Sequence, residues 1–158
     1  MVEIGDKAPE IELVDTEKKP VKISDFRGKT TVLAFFPAAF TGVCTKEMCA
    51  FRDDLSKFEN LGSNVVGVSV DPPFSNKSFK TQSNINFPLL SDYNRNAVKA
   101  FGVEHHNFSN LQGYTAAKRS VFVLDKEGII RWKWISDNPG IEPNYAEVKA
   151  EVEKVKSM

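Results

Sequence analysis

The sequence predicts an α/β fold in which a central mixed β-sheet is flanked by helices and extended by an N-terminal β-hairpin. Three observations predict it. Residues 30–36 and 65–70 are β-branched and apolar with almost no polar interruption, as in strands buried on both faces. Strand-type runs alternate with helix-type segments, which places helices on both sides of a sheet. The last part of the chain changes pattern, to an antiparallel hairpin followed by a helix.

The elements follow in order. Gly5 and Pro9 keep the first ten residues extended. Alternation at 11–13 and again at 21–23, separated by the polar run 15–19, reads as a small hairpin. Residues 24–28 form one helical turn closed by Gly28. Pro37 ends the strand at 30–36. A helix then opens at Thr41 or Gly42 and runs to about Leu61, with Gly62 past its end. Val43, Met48, Phe51, Leu55 and Phe58 recur on it at helical spacing. Asp71-Pro72-Pro73 closes the strand at 65–70. Residues 74–83 form a helix, and 87–90 lead into a short strand. Asp92 caps a further helix with Tyr93, Val98 and Phe101 on its apolar face and Gly102 at its end. Residues 105–113 are polar without a period and read as a loop. Strands at 119–124 and 129–135 flank a turn at 125–128, with Trp132 and Trp134 on one face. Pro139 and Pro143 bracket a loop. Residues 145–155 form the closing helix, with Val148, Val152 and Val155 on one stripe. The closing hairpin and helix are the pattern of the thioredoxin fold. No repeat, low-complexity segment or linker interrupts the order, so residues 1–158 are expected to form a single domain.

Composition narrows the function. The chain has 158 residues, enough for one domain with a substantial core. Its 21 basic and 21 acidic residues cancel, which argues against a general polyanion binder, so no nucleic-acid partner is expected. The N-terminal stretch has no apolar core of signal-peptide type, and no apolar run approaches the ~18 residues needed to span a bilayer. No membrane association is expected, and the expected compartment is the cytoplasm, where thiols are kept reduced. The only two cysteines, Cys44 and Cys49, then read as reactive, metal-binding or simply buried rather than as a permanent staple.

Three features point to reactivity at Cys44. It lies about one turn into the helix, where partial positive charge and unpaired N–H groups stabilise a thiolate. Thr41, three residues earlier, faces the same side and can hydrogen-bond the sulfur or a bound oxygen; plain N-capping is the competing role for it. Pro37 lacks an N–H and can shield the sulfur without adding a competing donor. Phe35, Phe36, Phe40 and Phe51 are read as an apolar wall around the site, although such aromatic clusters are more often plain core.

Pro37, Thr41 and Cys44 stand in the spacing Pro-x-x-x-Thr-x-x-Cys, which resembles the active-site motif of the peroxiredoxins. Residues 5–9, 87–92 and 119–122 also resemble that family's lead-in, mid-chain segment and distal strand, so the likeness covers most of the chain. The resemblance implies a thioredoxin-like fold and a thiol peroxidase acting on hydrogen peroxide and organic hydroperoxides without a cofactor or metal. It implies that Cys44 is the peroxidatic cysteine, that Thr41 positions peroxide and that Pro37 is the shield. By the same resemblance Arg119 is the distal arginine that stabilises the thiolate, and Glu47 orients that arginine. On residue type alone, a lone arginine on a strand is usually a surface charge, so Arg119 rests mainly on the resemblance, and the competing role for Glu47 is a solvated helix residue.

A sulfenic acid on Cys44 needs a second thiol to resolve it. Cys49 is the only candidate in the chain, five residues on. On an ideal helix that separation is roughly 8–9 Å between Cα atoms and lies across different faces, whereas a disulfide needs less than about 7 Å. The first turns would have to unwind in each cycle. The spacing resembles the bacterioferritin-comigratory, or peroxiredoxin Q, subfamily, and no cysteine follows Cys49 for an intersubunit disulfide. That likeness implies an intramolecular Cys44–Cys49 bond recycled by a thioredoxin-type reductant, in a monomer or homodimer. Other readings stay open: Cys49 is structural and an external thiol resolves Cys44; the protein is a thioredoxin-fold disulfide reductase, redox sensor or chaperone; or both cysteines join His105 and His106 around zinc. The disulfide-reductase and zinc alternatives are opposed by the spacing, which is neither Cys-x-x-Cys nor that of a zinc knuckle; the non-enzymatic sensor or chaperone is told apart by whether Cys44→Ser abolishes peroxide consumption.

Overall fold

A computed structural model describes residues 2–158. The expected hairpin comes first. β1 (Glu12–Val14) pairs antiparallel with β2 (Pro20–Lys22), with Leu13 opposite Val21. One 3₁₀ turn over Ile23–Phe26 follows, and Gly28 reverses the chain at φ +100°, a conformation that suits glycine. β3 (Thr30–Phe35), α1 (Gly42–Asn60), β4 (Ser63–Ser69), α2 (Pro73–Gln82), β5 (Leu89–Ser91) and α3 (Asn96–Phe101) then alternate. The chain continues through β6 (Glu104–His105) and β7 (Ala116–Ala117). It ends in the hairpin of β8 (Ser120–Leu124) and β9 (Ile130–Ile135), followed by α4 (Tyr145–Lys156).

Seven strands form one mixed sheet in the order β2-β1-β5-β4-β3-β8-β9. β3, β4 and β5 are mutually parallel; β8 joins β3 antiparallel, and β1 joins β5 antiparallel. The central position of β3 explains its unbroken apolar run. Leu33 and Phe35 enter one core with Val66, Val68, Phe122 and α3's Val98 and Phe101. Val32, Ala34 and Phe36 enter the other with residues of α1, α2 and α4. Both faces are therefore covered, as the sequence predicts. Trp132 and Trp134 pack together against the second core. Gly67 on β4 is needed for close approach: a Cβ there would lie 2.7 Å from Leu89 Cδ2 and 3.2 Å from Met48 Sδ.

Three expectations are corrected. Tyr93 is exposed rather than on the inner face of α3, because the helix begins only at Asn96; Ala97 takes the inner place. Asp92 is not the N-cap residue, although its carboxylate accepts from the N–H groups of Ala97 and Val98, both at 2.9 Å. The region 105–113 is not wholly loop. His105 pairs with Ala116 in a separate two-stranded sheet, and Phe108–Asn110 form a 3₁₀ turn held by Asn107, Ser109 and Asn110 at positive φ. Such short polar residues tolerate the left-handed region, which hides this structure from periodicity.

Candidate active site

The site lies where β3 gives way to α1. Pro37, just past the strand, is buried. Ala39 N–H donates to the Asp71 carboxylate at 2.8 Å, tying the turn to the segment after β4. Phe40 takes φ +66° and sets its ring edge-on to Phe79, with centroids 5.2 Å apart. Thr41 occupies the N-cap position with an extended backbone, but its hydroxyl does not cap the helix. It donates instead to the Ala38 carbonyl at 2.7 Å, leaving the oxygen's lone pairs available. With no side-chain cap and no acidic residue in the first turn, the N-terminal N–H groups of α1 are left for an anion.

Cys44 is the third residue of α1 and is fully buried. Glu47, three residues on and on the same face, is also fully buried. Arg119, immediately before β8, is only 1% exposed and lies between them. Its Nη2 donates to Cys44 Sγ at 3.1 Å, and its Nη1 donates to Glu47 Oε1 at 2.9 Å. The Pro139 carbonyl accepts from both Nε and Nη2, at 3.0 and 2.9 Å. Glu47 Oε2 has no hydrogen-bond partner.

One cation thus serves two buried acids. Burial pushes the Cys44 thiol above its ordinary value, while the Arg119 charge pulls back without cancelling it. Burial likewise pushes Glu47 up to about 8 against the pull of Arg119. Burial also works against the Arg119 charge, but Glu47 and Cys44 outweigh it and push the guanidinium up, so it stays charged.

Cys49 is half-buried on α1, and both thiols are free. The histidines are elsewhere. His105 lies on β6, and His106 shares a 3.1 Å hydrogen bond with Thr115. Among the described residues, no three His, Cys, Asp or Glu side chains gather as a metal site.

Comparison with known proteins decides the family. Residues 4–133 match the AhpC/TSA family. The chain belongs to the AhpC/TSA family. It is 41% identical over 128 residues to a Mycobacterium tuberculosis protein that carries a provisional peroxiredoxin name, covering 80% of each chain. It is also 41% identical to the chloroplastic peroxiredoxin Q of Sedum lineare, over 80% of this chain and 66% of that one. Among solved structures it resembles the peroxidoxin BcpB of M. tuberculosis, with a TM-score of 0.84, 28% identity and coverage of 100% and 99%. A Cys→Ser mutant of Xylella fastidiosa PrxQ matches with a TM-score of 0.83, 27% identity and coverage of 99% and 97%. The protein is therefore a peroxidase enzyme of the peroxiredoxin type, with the thioredoxin-like fold.

Within this peroxiredoxin, Cys44, Glu47 and Arg119 form one hydrogen-bonded row, with Thr41 at the N-cap position of the same helix and Pro37 buried before it. The surface readings of Arg119 and Glu47 fail, since neither side chain is more than 2% exposed. Plain side-chain capping by Thr41 fails as well. Sequence reasoning missed the Pro139 carbonyl. A backbone acceptor leaves no side-chain signature, and only the prolines bracketing the loop mark the place.

Proposed function

We propose that this peroxiredoxin reduces hydrogen peroxide and organic hydroperoxides at Cys44. The observation that carries this reading is the buried hydrogen bond from Arg119 Nη2 to Cys44 Sγ beneath an uncapped helix start. The Cys44 thiolate attacks one peroxide oxygen; the S–O bond forms as the O–O bond breaks. Sulfur is oxidised to a sulfenic acid, and the leaving oxygen takes a proton and departs as water or an alcohol. Negative charge moves from sulfur onto that oxygen, which a fixed guanidinium and aimed N–H groups accommodate without reorganising. Thr41, its hydroxyl already donating to Ala38, is suited to accept a hydrogen bond from the peroxide. Pro37, buried just past β3 and without an N–H, takes the role of the sulfur's shield. Glu47 holds Arg119.

In the second half-reaction, the Cys49 thiolate attacks the Cys44 sulfenic sulfur. Hydroxide leaves as water, and a disulfide forms within the chain. A thioredoxin-type dithiol then reduces it. Two features of α1 favour the unwinding this needs: its first turn lacks a side-chain cap, and Phe40 just before it sits in the left-handed region. We further read the chain as one domain acting in the cytoplasm as a monomer or homodimer, without nucleic-acid or membrane partners. No described helix is long and apolar enough to cross a membrane.

One experiment tests the assignment. The reduced protein is treated with one equivalent of peroxide and weighed under denaturation without reductant. Loss of two hydrogens is expected, through a Cys44–Cys49 bond. Gain of one oxygen, or an external thiol adduct, would instead make this a one-cysteine peroxidase. Peroxide consumption surviving in Cys44→Ser would overturn the site altogether.

A further inference from the structure

Arg119 is gripped at both ends by one short segment. Its own carbonyl accepts from Ser136 N–H at 2.9 Å, while its guanidinium donates twice to the Pro139 carbonyl three residues further on. The same Nη2 that reaches Cys44 is one of those two donors. Glu47 and Cys44 take the guanidinium on one side, so the Pro139 oxygen fixes the plane in which the fork lies.

The Pro139 oxygen is itself held in place. The Ser136 hydroxyl donates to Asn138 O at 2.8 Å and accepts from Asn138 N at 3.1 Å, closing the turn from inside. Asn138 Oδ1 accepts from Gly140 N at 2.9 Å, and Asn138 O accepts from Ile141 N at 3.2 Å, closing it from the far side. Ser136 is buried and Asn138 exposed, so the brace has an inner and an outer half. None of these groups touches the reacting sulfur.

We infer that the turn over residues 136–140 is a positioning element for peroxide reduction: it aims Arg119 at Cys44 through the Pro139 carbonyl, and Ser136 is the side chain that sets it. This rests on the reading of Cys44 as the reacting thiol. A turn left unbraced lets the Pro139 oxygen drift, and the guanidinium then rotates about its contact with Glu47, lengthening the bond to sulfur. Charge-assisted hydrogen bonds depend steeply on that geometry.

The test is a double-mutant cycle. Ser136→Ala is made alone and with Arg119→Met. The peroxide rate of reduced protein is measured by stopped flow, and the pH profile of Cys44 alkylation is measured in a Cys49→Ser background. Ser136→Ala is expected to slow peroxide reduction roughly tenfold and to move the alkylation midpoint upward. Ser136→Thr, which keeps the hydroxyl, restores both. With Arg119→Met already present, Ser136→Ala adds nothing, because the group it aims is gone. An equal loss in both backgrounds, or an unmoved alkylation midpoint, overturns the inference. Should Ser136→Ala lose its cooperative melt, Asn138→Ala is carried through the same cycle, with Asn138→Asp as its rescue and the same criteria. The alkylation arm needs no peroxide. Failure of the Cys44 reading appears as peroxide consumption in Cys44→Ser, whereas failure of this inference appears as an alkylation profile that ignores the turn.

Discussion

Arg119 donates to Cys44 across 75 positions of sequence, and the donor–sulfur distance is 3.1 Å. The pairing exists because β8 lies beside β3, so the residue just before β8 comes level with the residue just after β3. Phe35 faces Ser120 in that register. α1 starts a few residues past Phe35, and Arg119 precedes Ser120 by one. Fold topology thus delivers a cation to a helix N-terminus with no local sequence signal.

Removing that cation has a defined expected outcome. Arg119→Met should slow peroxide reduction by about 10- to 100-fold, the worth of one hydrogen bond to a charged group. Arg119→Lys should recover part of it, since an ammonium carries the charge but cannot hold Cys44, Glu47 and Pro139 in one plane. In both, alkylation of Cys44 should shift to higher pH, because burial then acts with less opposition. Stopped-flow rates and alkylation profiles in Cys49→Ser measure both effects. Wild-type rates in Arg119→Met would remove Arg119 from the mechanism.

Glu47 shares the same cation, and its titration has a sign. Burial raises it from its ordinary 4.5 to about 8. A carboxyl whose value is higher in the folded state holds its proton more tightly there. Its contribution to stability is complete below pH 4.5 and is lost as pH rises to about 8. Glu47→Gln keeps the acceptor for Arg119 and cannot ionise, so it should lack this loss. Urea unfolding at several pH values should find the Gln variant gaining on wild type across that window. Its Cys44 should also ionise at lower pH than wild type, because no second anion competes for Arg119. A difference in stability that stays constant with pH would rule this out.

The motif at residues 37–44 and the unbroken apolar run at 30–36 were legible because both are local: one is fixed spacing, the other continuous burial. Helix ends at Gly62 and Gly102 were legible for the same reason. What sequence alone could not supply is what depends on distance. Arg119 and Glu47 carry no mark that separates a buried ion pair from two surface charges, and only the family likeness singled them out. The Pro139 carbonyl carries none at all. Tyr93 was misplaced because an aromatic residue one position after a capping aspartate fits the helical period, whereas the chain delays the helix until Asn96.

The packing behind the site is also open to test. Gly67→Ala would bring a methyl group to 2.7 Å from Leu89 and 3.2 Å from Met48, the latter on α1 one turn beyond Cys44. Both neighbours are buried side-chain tips, so they have little free space to swing into. Overpacking of this kind costs about 1–3 kcal/mol. For a chain of this size the melting temperature should fall by about 2–4 °C for each kcal/mol. Thermal melts followed by circular dichroism measure it. An unchanged midpoint would mean that the Leu89 and Met48 side chains give way at no cost.

The helix that carries Met48 also carries Cys49. Residues 44 and 49 both lie within α1, and on an intact helix their Cα atoms are roughly 8–9 Å apart, too far for the bond. The proposed Cys44–Cys49 bond therefore requires the start of α1 to melt. The body of the helix should survive, because Phe51, Leu55 and Phe58 are anchored in the core with α4's Val148 and Val152. Hydrogen exchange should show residues 42–50 losing protection after one equivalent of peroxide, while 52–60 keep most of theirs. The loss should reverse with a dithiol. In Cys49→Ser the same treatment leaves a sulfenic acid but no bond to hold the helix open, so protection of 42–50 should return close to its reduced level. Equal loss of protection in wild type and Cys49→Ser would separate unwinding from disulfide formation and remove Cys49 from the cycle.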